Sequence, residues 1–130
     1  MHGNFAGWHL TYDAVVEQAH AAKLNDAEFL GRVLLDLVAL LEMEVLDGPR
    51  LHKVELDPVK LETDSDDGGV TGTVIISTSH ISIHTWPLRE RFSMDVFSCR
   101  EYDDAVVEAF LKERFNVKLR TSHWLHRLWP

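Results

Sequence analysis

Side chains able to do chemistry crowd into two short stretches. The first is Ser77-Thr78-Ser79-His80-Ile81-Ser82-Ile83-His84-Thr85-Trp86-Pro87, and the second is Met94-Asp95-Val96-Phe97-Ser98-Cys99. A serine hydroxyl becomes a nucleophile when an acid/base group is at hand, and histidine is the commonest such group. His80, His84, Asp95 and Cys99, with His123 and His126 as a further pair, can also be read as metal ligands. Their spacing fits no zinc signature, so no metal is expected. Taken singly, Ser79 reads as an ordinary strand residue and Cys99 as a small buried hydrophobe. The longer pattern around them is what raises both.

These residues need strands to hold them. Val70 to Ile76 is β-branched and reads as a strand. Ile81 to Trp86 is a second, stopped by Pro87, and alternation puts His80, Ser82, His84 and Trp86 on one face. Phe92 to Cys99 is a third, and Phe5 to Asp13 alternates as a first strand of the chain. Between them, Leu30, Val33, Leu34, Leu37, Val38 and Leu41 recur at helical spacing, with Asn25 as cap and Glu28 three residues later. Val45 to Leu61 contains the break Asp47-Gly48-Pro49 and one strand after it, and residues 62–69 form a polar loop. Asp103 caps a second helix carrying Val106, Val107, Phe110 and Leu111, and the segment from Asn116 to Leu128 closes the chain with a strand. Trp124 and Trp129 near the end read as core or interface residues rather than ligand platforms. The order β-α-β-β-β-β-α-β implies an α+β fold: a two-layer sandwich, mostly antiparallel, with two helices on one face.

The chain has 130 residues and a hydrophobic fraction of 45%, which suits a single domain over residues 1–130. No apolar run approaches the roughly 20 residues of a membrane span, and Met1 to Leu10 lacks the pattern of a secretory signal. Cys99 is the one cysteine, so an intrachain disulfide is impossible and a cytoplasmic location is the default. The formal net charge of -8 argues against a nucleic-acid partner and favours, by field alone, a small cationic ligand.

From Gly69 to Cys99 the sequence resembles the prokaryotic S-adenosylmethionine decarboxylases. Gly7-Trp8-His9-Leu10 resembles that family's first strand and Leu24-Asn25-Asp26 its helix entry. The resemblance implies a precursor that cuts itself between Thr78 and Ser79, giving a β chain of residues 1–78 and an α chain of residues 79–130. Ser79 Oγ would attack the Thr78 carbonyl to form an ester. Elimination and hydrolysis would then leave a covalent pyruvoyl group, made from Ser79, which takes a substrate amine as a Schiff base. By the same resemblance His84 is the acid/base of processing and Cys99 the proton donor to substrate carbon. Thr71 stands where the family usually has a serine that assists processing. A homodimer or higher homo-oligomer is also implied.

The pattern departs from the family at positions that would hold an adenosyl group. The adenine-stacking aromatic falls at Ser65, the ribose-binding glutamate at Leu88, and the residue before the cut, usually glutamate, is Thr78. The loop offers Asp64, Asp66 and Asp67 instead, whose carboxylates suit a guanidinium or ammonium. The expected function is therefore a pyruvoyl-dependent decarboxylase of polyamine synthesis acting on L-arginine or L-ornithine, with Ser65, Asp66, Asp67 and Leu88 around the substrate. Two alternatives stand beside it: S-adenosylmethionine decarboxylation itself, and an uncleaved relative that binds a metabolite without catalysis.

Overall fold

A computed structural model describes residues 6–130. The elements are β1 (Ala6–Val16), α1 (Ala27–Leu40), β2 (Val45–Val54), β3 (Gly69–Ile76), β4 (Ser79–Trp86), β5 (Arg91–Ser98), α2 (Asp104–Phe115) and β6 (Val117–Leu128). This is the α+β order expected. Short 3-10 turns at Gln18–Asn25, Pro58–Glu62 and Pro87–Arg89 join them. The sheet has six strands in the order β2-β3-β4-β5-β1-β6, and the pairings with a given register are antiparallel. Both helices lie on one face, and among the described residues the other face carries no α-helix.

The apolar stripe of α1 makes the core. Leu30, Val33, Leu34, Leu37, Val38 and Leu41 are all buried there, against Val74 and Ile76 of β3, Ile81 and Ile83 of β4, and Met94 and Val96 of β5. Strand alternation decides the rest. In β4 the buried residues are Ile81, Ile83 and Thr85, so His80, Ser82, His84 and Trp86 face the helix-free side.

Several boundaries differ from the sequence reading: β4 begins at Ser79, two residues before Ile81, and β5 ends at Ser98, before Cys99. The cap of α1 is Asp26, whose Oδ1 accepts from Phe29 N–H at 3.1 Å. Asn25 is consumed in the preceding 3-10 turn, so Asp26 is the first extended position able to cap. β2 runs through Gly48-Pro49 instead of starting after it, with register shifts on either side of Asp47. It is an edge strand, where a proline removes no needed ladder bond. β1 reaches Val16, three residues past Asp13, while Phe5 lies outside the described residues. Among the described residues no helix is long and apolar enough to cross a membrane.

Thr85 stitches the layers at the far end of β4. Its buried Oγ1 accepts from Val70 N–H at 2.9 Å and donates to Leu24 O at 2.7 Å. Gly69, at φ +144°, lets the start of β3 pass against the Thr85 carbonyl, where any side chain would collide. Replacing Thr85 by Val keeps the shape but orphans both partners. Thr85→Val should lower unfolding stability by about 1–3 kcal/mol, read as a lower urea midpoint with an unchanged slope.

Candidate active site

Ser77 and Thr78 alone join β3 to β4. Hairpin loops this short usually take positive φ within the loop, because that twist matches the flanking strands. Here neither loop residue does, and the positive φ, +145°, falls on Ser79. For a residue with a side chain this conformation costs on the order of 1–3 kcal/mol. The strain sits directly after the Thr78–Ser79 peptide bond, so breaking that bond would release it.

The same bond is held from outside. Thr78 O accepts from Cys99 N–H at 2.8 Å, and Ser77 N–H donates to Glu44 O at 2.9 Å. The Ser98 hydroxyl donates to Thr78 Oγ1 at 3.0 Å. A donor fixed on a carbonyl oxygen stabilises the negative charge that appears there when a nucleophile adds. Ser79 lies opposite Ser98 in the β4–β5 ladder and is half-exposed, next to Cys99. Cys99 itself is exposed, not the buried hydrophobe that an isolated cysteine suggests.

Thr71 and His84 are opposite one another on β3 and β4, with Oγ1 and Nδ1 2.6 Å apart. Burial pushes the His84 imidazole below its ordinary value, with the Asp66 and Asp67 carboxylates opposing that shift. His84 is therefore neutral at neutral pH and free to take a proton. In the unfolded chain it protonates more readily. Its contribution to stability is thus present above the ordinary imidazole value and is lost as pH falls through the lowered one.

The chain does not bring this pair to Ser79. His84 lies five residues along β4 from Ser79, about 17 Å at strand spacing. Ser79 and Cys99 form one cluster, and Thr71 and His84 form another at the opposite end of the hairpin.

Trp86, whose ring meets that of His84 at 4.3 Å between centroids, borders a cavity of about 820 Å³ that is also lined by Asp13, Asp64, Asp66, Arg89 and Arg120 among others, but not by His84 itself. Of the residues expected around a substrate, Asp66 lines it, while Ser65, Asp67 and Leu88 do not. Asp66 is already engaged: Arg89 Nε donates to its Oδ2 at 2.7 Å, and its side chain is only 7% exposed. Arg89 also donates to Leu61 O at 2.9 Å, and Trp86 Nε1–H to Asp66 O at 3.2 Å. Asp67 pairs with Lys60 at 3.1 Å. Ser65 shares a hydrogen bond with Thr63 Oγ1 at 3.1 Å. Two of the loop carboxylates thus meet cations of the chain itself before any ligand arrives.

The metal reading of the histidines has no geometric partner set. Asp95 pairs with His9 at 3.0 Å, and among the described residues no three His, Cys, Asp or Glu side chains gather as ligands.

A family model described as S-adenosylmethionine decarboxylase matches residues 8–128. A Clostridium botulinum (strain Langeland) protein named S-adenosylmethionine decarboxylase proenzyme is 29% identical over 115 residues, covering 88% of this chain and 87% of that protein. A protein of the same name from Geobacillus sp. strain WCH70 is 29% identical over 105 residues, covering 81% of this chain and 75% of the relative. In fold, the crystal structure of the adenosylmethionine decarboxylase from Aquifex aeolicus VF5 superposes with a TM-score of 0.75 at 24% identity, covering 96% and 92% of the two chains. The chain is a decarboxylase of the pyruvoyl-dependent class, carboxy-lyases whose cofactor is a covalent pyruvoyl group generated by self-cleavage. It belongs to the S-adenosylmethionine decarboxylase family. The residues fit that cofactor's origin: a half-exposed serine, strained at φ +145°, follows a carbonyl held by Cys99 N–H.

Proposed function

We propose that the chain cuts itself between Thr78 and Ser79 and then decarboxylates S-adenosylmethionine. The observation that carries the first part is the Cys99 N–H on the Thr78 carbonyl, next to the strained Ser79. Ser79 Oγ adds to the Thr78 carbonyl carbon, the C–N bond breaks, and the hydroxyl proton ends on the freed nitrogen. The result is an ester, with no atoms gained or lost. Loss of the Ser79 α-proton expels the Thr78 carboxylate and leaves a dehydroalanine. Its imine tautomer takes up one water and releases ammonia, which leaves a pyruvoyl group at position 79. The fragments are then residues 1–78 and 79–130. A serine is needed because one oxygen serves first as nucleophile and then as leaving group.

A pyruvoyl group supplies a carbonyl that captures a substrate amine and accepts the electrons left by departing carbon dioxide. The remaining work falls to side chains. Cys99, exposed beside Ser79, returns a proton from Sγ to the substrate carbon. His84 handles the proton in the ester step, and Thr71 orients its imidazole through Nδ1. Because this pair sits about 17 Å from Ser79 along β4, we assign it to the site of a second copy. The helix-free face carries Thr71, His84 and Trp86 and exposes Ile75, Leu119 and Leu125 at 38%, 63% and 45%. Two such faces packed about 10 Å apart, with strands reversed, bring the His84 end of one copy over the Ser79 end of the other.

The substrate is a cation in either reading, in keeping with the net charge of -8. S-adenosylmethionine is supported by the names of the relatives and by the pairing of Asp66 and Asp67 within the loop. That pairing removes most of the reason for preferring arginine or ornithine. The basic amino acids stay as a second reading because Leu88, 42% exposed, puts no carboxylate where a ribose would sit. Carbon dioxide release from S-adenosylmethionine, arginine and ornithine separates them. Release from an amino acid alone would sink the first reading. Leu88→Glu should lower KM for S-adenosylmethionine about ten- to hundred-fold, from a hydrogen-bonded carboxylate worth roughly 1–3 kcal/mol, with kcat little changed. An unchanged KM would remove residue 88 from the ribose site.

A further inference from the structure

Ser98 is a polar residue in an apolar row. Phe92, Met94 and Val96 precede it on the buried side of β5, and Ser98, 0% exposed, is buried like them. A hydroxyl there costs stability unless both its roles are satisfied. They are. Ser98 Oγ accepts from Arg100 N–H at 2.9 Å and donates to Thr78 Oγ1 at 3.0 Å. The Thr78 hydroxyl donates onward to Met43 Sδ at 3.6 Å. Arg100 is anchored in turn, its guanidinium donating to the carbonyls of Leu41 and Glu42 just past α1. The donors all run one way, an order in which each bond polarises the next.

Cys99 stands between the two ends of this grip. Its N–H holds the Thr78 carbonyl at 2.8 Å, while Ser98 holds the Thr78 hydroxyl. One three-residue segment, Ser98 to Arg100, therefore grips Thr78 by its backbone and its side chain together. Two points of attachment fix both χ1 of Thr78 and the plane of its carbonyl. That plane is the target of the Ser79 hydroxyl, and addition needs the reacting atoms aligned.

We propose that Ser98 is a positioning residue for self-cleavage, acting through the Thr78 hydroxyl to fix the scissile carbonyl against Cys99 N–H and Ser79 Oγ. The inference rests on the self-cleavage reading above. It also gives Thr78 a function as the residue before the cut: its γ-hydroxyl is the handle that Ser98 holds. The Ser98 hydroxyl bonds to Thr78 Oγ1 and Arg100 N–H, not to the scissile carbonyl or Ser79 Oγ.

The test is the rate at which the full chain, made in a cell-free system, turns into two fragments by denaturing mass spectrometry. Wild type, Ser98→Ala, Thr78→Val and Thr78→Ser are compared, with a parallel sample in hydroxylamine to cut any ester that has formed. Thr78→Val keeps the shape and loses the hydroxyl; Thr78→Ser keeps the hydroxyl. Ser98→Ala and Thr78→Val should each slow cleavage about ten- to hundred-fold, without ester building up, while Thr78→Ser stays within about threefold of wild type. Urea midpoints show whether a variant is folded, and if Ser98→Ala is not, Thr78→Val probes the same bond from its other end. Cleavage of Thr78→Val at the wild-type rate overturns the proposal. So does a Thr78→Ser as slow as Thr78→Val, since packing rather than the hydroxyl would then be at work. A wild-type chain that never divides is a different result and overturns the self-cleavage reading itself.

Discussion

Ser79→Ala should persist as one chain of 14.9 kDa in denaturant, where the wild-type protein is expected to separate into two fragments meeting at position 79. The loss is expected to be complete because no second hydroxyl can replace the first. Thr78 has one, but its Oγ1 is taken up by Ser98 and Met43 and lies on the wrong side of the bond. Ser77 is two residues away, and its backbone is tied to Glu44 O. Denaturant matters to the measurement. After a cut at this bond, β4 stays laddered to β3 from Thr71↔His84 to Ile76↔Ser79, and β1 of the first fragment pairs with β5 and β6 of the second. Under native conditions the two pieces therefore travel together and mimic an intact chain. A Ser79→Ala protein that still divides at the same place would show that another group is the nucleophile. A wild-type protein that stays whole, with its fold intact, would leave a binding protein in place of an enzyme.

The fold was legible because its signals are periodic and repeat over many residues. The stripe of α1 and the alternation of β3, β4 and β5 each repeat one decision several times, so no single residue carries it. Boundaries rest on single residues and went less well. Asn25 has the right type for a cap, but the 3-10 turn that takes it up could not be seen in the sequence. The site was legible in part for the same reason. The long run from Ser77 to Pro87 identified the hairpin and its serine. It could not show distance: Ser79 and His84 are neighbours in a motif and about 17 Å apart on a strand. Nor could composition show that Asp66 and Asp67 are paired to Arg89 and Lys60. The one legible trace of Ser98 was a polar residue at a position where alternation demands an apolar one.

That separation leads to the second large effect. His84→Ala should slow self-cleavage about 10²–10⁴-fold, the usual worth of a positioned acid/base. On its own this result does not say which copy's histidine serves which serine. Co-expression of His84→Ala with Ser79→Ala does. On the time scale of wild-type cleavage neither variant cuts itself alone: one lacks the acid/base and the other the nucleophile. In a mixed dimer with sites shared between copies, one site regains both. There Ser79 of the His84→Ala chain meets His84 of the Ser79→Ala chain, while the other site has neither. With equal amounts and free pairing, about half of the Ser79-bearing chains sit in mixed dimers, so about half should divide. Every fragment starting at position 79 should then carry the alanine at position 84, which a mass measurement reads directly. If the sites were built within one chain, mixing would restore nothing. The strand would then have to fold back on itself by about 17 Å, which the β3–β4 and β4–β5 ladders on either side of it forbid. Recovery on mixing thus tests the second copy and the function of His84 in one measurement.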